Sequence, residues 1–130
     1  MSDLADLDLL KRALAARERS YSPYSQYAVG AALLANSGDI YEGTNIENAS
    51  YGLSICAERV ATFKAVYAGE RAFARIAIAG AEGVLCSPCG ACRQVLYEFA
   101  PDLIVIMGTG TDSFDTAPLK ELLPRGFRFE

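Results

Sequence analysis

Three cysteines constrain this chain more than any other feature. Cys56 lies in Cys56-Ala57-Glu58-Arg59, and the other two lie in Pro88-Cys89-Gly90-Ala91-Cys92. A shared site would oblige the fold to bring two distant stretches together. No histidine occurs in the 130 residues. Any transition-metal site must therefore use thiolates, and any proton shuttle must be a carboxylate, tyrosine, lysine or cysteine. Cys89 and Cys92 are spaced i, i+3, which on a helix turns both sulfurs to one side where they can share a metal. Cys56 can supply a third thiolate from a separate element. Zinc with three protein ligands keeps its fourth tetrahedral position for water, the mark of a catalytic rather than a structural site. Glu58, two residues past Cys56, is then the nearest carboxylate able to handle that water's protons.

Both stretches fall at expected helix N-termini, where the macrodipole and free N–H groups favour thiolates. Cys56 and Glu58 are i, i+2 and would diverge on a regular helix. They can converge only if Cys56 sits at the lip of its helix. Zinc on three thiolates carries one net negative charge, which would make it a poor activator of water. Arg59, i, i+3 from Cys56, can donate to sulfur and withdraw that charge. Other readings stand beside this one. Cys56 alone reads as a buried core cysteine, and Cys89 with Cys92 as a redox pair. Adding Cys86 makes an iron–sulfur cluster or a closed four-cysteine zinc site conceivable. Asn45 and Glu47 alternate in Asn45-Ile46-Glu47-Asn48, so in an extended segment an amide and a carboxylate share one face and can both reach sugar hydroxyls.

The rest of the chain reads as a single α/β domain, residues 1–130. Residues 3–18 form a helix with Asp3 as its cap and Leu4, Leu7, Leu10 and Leu14 as its apolar stripe. Pro23 interrupts the chain between Tyr21 and Tyr24. Strands are expected over Tyr27 to Ala35 and Ile40 to Thr44, joined by a turn at Ser37-Gly38-Asp39. Asn45 to Ile55 is a loop, Cys56 to Ala68 a helix stopped by Gly69, and Ala74 to Ala79 a buried strand. Pro88 opens a helix to Phe99. Leu103 to Met107 is an apolar strand, Thr109 to Thr116 an edge strand or loop, and Pro118 to Leu123 a short helix. The order β-β-α-β-α-β implies a three-layer sandwich, with a mixed sheet of about five strands and helices on both faces.

Hydrophobic residues make up 52% of the chain and its formal charge is −4, which disfavours disorder. The absence of a Lys/Arg cluster disfavours nucleic acid as a partner, leaving small molecules. The acidic start Met1-Ser2-Asp3-Leu4 lacks the basic region of a signal peptide, and no apolar run approaches membrane-spanning length. Four cysteines without an export signal point to reduced thiols in a cytoplasm.

The pairing of Cys56-Ala57-Glu58 with Pro88-Cys89-Gly90-Ala91-Cys92 matches the three-cysteine signature of zinc deaminases. Ser22-Pro23-Tyr24-Ser25, Val29 to Leu34, Asn45 to Ala49 and Cys92-Arg93-Gln94-Val95 extend the likeness over roughly residues 10–127. On these motifs the chain resembles the small cytidine deaminases of nucleotide salvage.

That resemblance implies hydrolysis of cytidine and 2′-deoxycytidine to the uridines and ammonia, by attack of zinc-bound hydroxide on C4. It implies one Zn2+ held by Cys56, Cys89 and Cys92, Glu58 as the catalytic proton shuttle, and Arg59 supporting the thiolates. Asn45 and Glu47 would bind the ribose, and Ala57 N–H and Ser87 C=O the reacting end of the base. Tyr27 stands where the family usually places phenylalanine against the pyrimidine. A homotetramer is implied, with Ala49, Tyr51 and Phe127 reaching a neighbour's pocket. A related deaminase of an aminonucleoside antibiotic, or a metal-stabilised binding module, is the alternative.

Overall fold

The computed structural model describes residues 2–129. Five strands, β1 (Gly30–Ala35), β2 (Ile40–Thr44), β3 (Phe73–Ala79), β4 (Ile104–Gly108) and β5 (Phe114–Pro118), form one sheet in the order β2-β1-β3-β4-β5. Helices α1 (Ser2–Ala16), α2 (Ala57–Tyr67), α3 (Gly90–Phe99) and α4 (Leu119–Leu122) accompany it. Only β3 and β4 pair in parallel, as expected where α3 carries the chain from one to the other.

Period-two alternation decides which helix covers which face. Leu33, Ile76, Ile78, Val105 and Met107 face Ala57, Ala61, Ala65 and Leu96, so α2 and α3 share one layer. Ala32, Ala77, Ala79 and Ile106 face Leu9, Leu10 and Ala13 of α1 on the other side. The result is the expected three-layer α/β sandwich. Alanines at 57, 61 and 65 make the sheet-facing ridge of α2, and Gly43 lets that helix lie close. A Cβ at Gly43 would stand 2.5 Å from both the Ala57 carbonyl oxygen and the Ala61 nitrogen.

The topology also places the two cysteine stretches. Both β2 and β3 run antiparallel to β1, so their C-terminal ends lie at the same edge of the sheet. The segments leaving that edge lead into α2 and α3, and both helix N-termini therefore sit there.

Several boundaries differ from the expectations, each for a local reason. α1 already begins at Ser2, ahead of the expected cap at Asp3. Leu10 is fully buried with Leu7 and Leu14 partly so; the packing of Leu4 lies outside the described residues. β1 starts at Gly30 rather than Tyr27, because the Asn45 side chain takes the Tyr27 carbonyl and the Val29 N–H. Pro88 is buried ahead of α3, which begins at Gly90. The undecided stretch after residue 109 resolves into β5, an edge strand ending in Pro118, where a missing N–H costs nothing to the ladder. No helix among the described residues is long and apolar enough to cross a membrane.

Candidate metal centre

Cys56 is the N-cap of α2, extended at φ −75° and ψ 156°. An antiparallel bridge between Ile46 and Ile55 holds the chain extended up to that point. The Cys56 carbonyl then accepts the first helical bond from Val60 N–H at 3.1 Å. Its side chain caps nothing, which leaves the sulfur free to turn outward. The condition for Cys56 and Glu58 to converge, a cysteine at the helix lip, is therefore met. Cys89 is placed likewise as the N-cap of α3 (φ −69°, ψ 168°). Pro88 restricts the residue before it to extended backbone and is itself buried. Cys92, in the first turn of α3, is fully buried.

Cys56 Sγ lies 3.8 Å from Cys89 Sγ, and Cys89 Sγ lies 3.4 Å from Cys92 Sγ. All three fall within 4.8 Å of one another. Tetrahedral thiolate ligands on zinc, at a bond length of about 2.3 Å, stand about 3.8 Å apart. The donor set thus fits a thiolate-bound zinc ion with no rearrangement of the backbone. Cys86 is not part of this cluster.

The surroundings favour a thiolate at Cys56. Arg59 Nη2 donates to Cys56 Sγ at 3.5 Å, and Arg59 Nε is buried without a hydrogen-bond partner. The thiol of Cys56 is lowered to about 5, first by the hydrogen bond from Cys92 and then by Arg59 and Cys89, against the opposing pull of burial. Cys92 moves up, because it donates to the Cys56 sulfur and is buried beside Glu58. Glu58 is 4% exposed; burial pushes its carboxyl up to about 7, and the Cys56 charge adds to the rise. Burial likewise raises Cys86 to about 11, helped by the Glu58 charge. Cys86 is thus a neutral thiol packed against the core.

These groups line a cavity of about 290 Å³. Its lining includes Cys56, Cys89, Glu58, Ala57 and Ser87, together with Tyr27, Asn45 and Cys86. The N–H groups of Ala57 and Glu58 belong to the first turn of α2 and have no intrahelical acceptor. The structure therefore brings together Tyr27, Asn45, Cys56, Ala57, Glu58, Ser87 and Cys89, with Cys92 beneath. Glu47, Ala49, Tyr51 and Phe127 do not line this cavity.

Glu47 turns instead onto the segment before β1. Its Oε1 accepts from Tyr24 N–H at 3.0 Å and Ser25 N–H at 3.1 Å, and its Oε2 from the Ser25 hydroxyl. The Ser25 hydroxyl is the main cause holding this carboxyl below its ordinary range. Glu47 lines an adjoining cavity of about 340 Å³ with Tyr24, Ser25, Tyr51 and Ser54. Ser25 borders both cavities. Asn45 is also engaged: Oδ1 accepts from Ser20 Oγ and Val29 N–H, and Nδ2 donates to the Tyr27 carbonyl. Ala49, Tyr51 and Phe127 are exposed.

Two residues escaped the functional reading of the sequence. Ser25 anchors Glu47. Arg93 ties the Cys89 loop to α4, donating to Pro88 O, Ser87 Oγ and Leu122 O at 2.8, 2.9 and 2.6 Å. Both lie inside motifs that carry the family likeness, which was the available signal.

Residues 4–108 match the family described as the cytidine and deoxycytidylate deaminase zinc-binding region. A cytidine deaminase of Halalkalibacterium halodurans is 47% identical over 94% of this chain and 93% of its own length. One from Sporosarcina psychrophila is 46% identical over 94% and 90%. Among solved structures, the cytidine deaminase of Burkholderia pseudomallei superposes with a TM-score of 0.88 at 46% identity, covering 92% of this chain and 97% of that one.

Proposed function

Because the chain belongs to the cytidine and deoxycytidylate deaminase family, we propose that the cavity is its active site, where Cys56, Cys89 and Cys92 hold one Zn2+ and Glu58 moves the protons. The protein is a zinc-dependent hydrolase that deaminates cytidine to uridine with release of ammonia; 2′-deoxycytidine is turned over at the same site. The observation that carries the assignment is one cavity lined by Cys56, Cys89 and the buried Glu58, with Cys92 completing the three-sulfur cluster.

Cys56, Cys89 and Cys92 would hold the zinc ion, which would supply the Lewis acidity that makes a water an effective nucleophile near neutral pH. Glu58 accepts the water proton. It is 4% exposed and lines the same cavity as Cys56 and Cys89, the position a proton shuttle requires. Glu58 passes the first proton to N3 of the pyrimidine, making C4 electrophilic. Once the water oxygen has added to C4, Glu58 relays a second proton to the departing amino group, and the C4 carbonyl forms as ammonia leaves. Arg59 draws negative charge from the Cys56 sulfur, offsetting the excess that three thiolates bring. Ala57 N–H and Ser87 C=O hold the reacting end of the base, and the Tyr27 ring forms a wall against it.

The sugar extends past Ser25 into the adjoining cavity, within reach of Asn45 and Glu47. Among the described residues no lysine or arginine lines either cavity, so a phosphate would meet the Glu47 carboxylate and no cation. This supports a nucleoside rather than a nucleotide.

Oligomerisation completes the reading. Ile46, Leu53, Phe63 and Tyr67 are exposed, Tyr67 at 95%, around an apolar groove of about 680 Å³. A contiguous apolar surface of this kind marks an interaction site. We assign it to subunit contacts in a homotetramer, with Ala49, Tyr51 and Phe127 offered to a neighbour's cavity. Ligands that must stay reduced suit a cytoplasmic setting.

Ammonia release from cytidine, deoxycytidine, cytosine, adenosine and dCMP, with zinc measured on the same sample, tests this function. Turnover confined to the two cytosine nucleosides, with one zinc per chain, is expected. Absence of turnover on both nucleosides in a zinc-loaded sample would contradict it.

A further inference from the structure

Every polar atom of Tyr27 is engaged. Its backbone N–H donates to Ser25 Oγ at 3.1 Å, its carbonyl accepts from Asn45 Nδ2 at 2.9 Å, and its hydroxyl accepts from Ala81 N–H at 3.1 Å. The preceding residue, Gln26, has φ 56°, in the left-handed region that side chains other than glycine occupy at a cost. Such a conformation persists where its surroundings hold it, here through the Gln26 N–H bond to Ser22 O at 3.0 Å. These anchors hold the residue at its backbone and at the far end of its ring. Tyr27 as a whole is 37% exposed and lines the cavity together with Asn45, Cys56 and Glu58.

The partner of the hydroxyl is itself fixed. Ala81 N–H and Gly80 C=O form one peptide group, and Arg17 Nη1 donates to that carbonyl at 2.6 Å. Arg17 also donates through Nε to Leu14 O at 3.0 Å. One peptide at the exit of β3 is thus held on one side from the end of α1 and on the other by Tyr27. Gly80 is glycine for reasons of space. A Cβ there would stand 2.4 Å from the Tyr27 hydroxyl oxygen and 3.0 Å from two ring carbons.

We propose that the Tyr27 hydroxyl and Gly80 form a latch that fixes the Tyr27 ring as a rigid wall for the substrate's base, which makes the pair a positioning device. The ligand's identity rests on the deaminase reading above; the latch rests on the loops of this chain. A ring already held in place loses little freedom when substrate docks, so the latch acts on binding. It touches neither Glu58 nor the thiolates, so it leaves the chemical step nearly alone.

The test is a double-mutant cycle of Tyr27→Phe and Gly80→Ala in the zinc-loaded protein, reading kcat and KM for cytidine together with the thermal midpoint. Tyr27→Phe should raise KM about five-fold, the worth of one hydrogen bond, with kcat changed by less than about two-fold. Its midpoint should scarcely move, because the exposed Ala81 N–H can turn to water. Gly80→Ala should raise KM about ten-fold or more, since its Cβ displaces the latched ring. Adding Tyr27→Phe removes the atom it meets at 2.4 Å, so the double variant should be no worse than Gly80→Ala alone. Additive KM effects would overturn the proposal, as would an unchanged KM with a lowered midpoint in Tyr27→Phe, the signature of a merely structural bond. Should Gly80→Ala not fold, the KM and kcat of Tyr27→Phe decide alone. A parent protein inert towards cytidine would overturn the deaminase reading instead; additive thermal midpoints of the two variants would then overturn the latch itself, because they would show that Tyr27 and Gly80 are not coupled.

Discussion

Arg59 Nη2 stands 3.5 Å from Cys56 Sγ, while Nε of the same guanidinium is buried with no partner. A buried donor without an acceptor is costly, so this arginine is held where a thiolate needs it. Arg59→Ala should keep most of the zinc and lose about 10- to 100-fold in turnover, the usual range for a group bonded to a metal ligand. Zinc content and kcat measured together check this, and near-normal kcat at saturating cytidine would make Arg59 a bystander.

Cys86 shares the cavity with the cluster but not its geometry. Burial holds it as a neutral thiol, up at about 11. Cys86→Ala should therefore retain one zinc per chain and its activity. Loss of zinc would instead indicate a closed four-thiolate site, with no position left for water.

The Glu47 carboxylate organises Tyr24 and Ser25 and faces the cavity assigned to the sugar. Glu47→Gln should weaken use of cytidine more than of cytosine, and cytosine should be the far poorer substrate of the parent protein. A site built around hydroxyls leaves polar groups unpaired when the hydroxyls are missing. Equal kcat/KM for the two compounds would defeat the assignment.

Gly43 is the close contact that seats α2 on β2. Gly43→Ala should destabilise the fold by about 1–3 kcal/mol, the usual range for overpacking. Because Cys56 begins that helix, zinc affinity should fall as well. Chemical denaturation with and without zinc would reveal both effects; unchanged stability would mean that the helix yields freely.

The metal cluster was legible in the sequence because local rules govern it. The i, i+3 spacing of Cys89 and Cys92 and the caps implied by Pro88 and the apolar run after Cys56 already placed the sulfurs on helix N-termini. The mixed sheet with helices on its faces followed from the alternation of β and α elements, but the strand order that brings those termini together emerged only from the pairing in the structure. Side chains acting over long range were not legible. Asn45 shortened the strand expected from Tyr27 by taking its backbone, and Glu47 spent its carboxylate on Tyr24 and Ser25. Nothing local in Asn45-Ile46-Glu47-Asn48 announces either bond. The alternation over Thr109 to Thr116 was too weak to decide between an edge strand and a loop, and the pairing of Phe114–Pro118 with β4 decides for the strand.

The proposed mechanism depends most on Glu58, which therefore supplies the most direct test. Glutamine keeps its size and one acceptor but cannot take a proton from water and return it to the base. Both halves of the reaction use that transfer, so the loss should exceed the ~10²–10⁴ of a single general acid–base step. Zinc content and fold should be unchanged, and cytidine should still bind, because the ground-state contacts we propose come from Tyr27, Asn45 and Glu47. The measurement is single-turnover conversion of cytidine by Glu58→Gln carrying one zinc per chain. The account predicts binding without conversion; conversion at near the parent rate would contradict it.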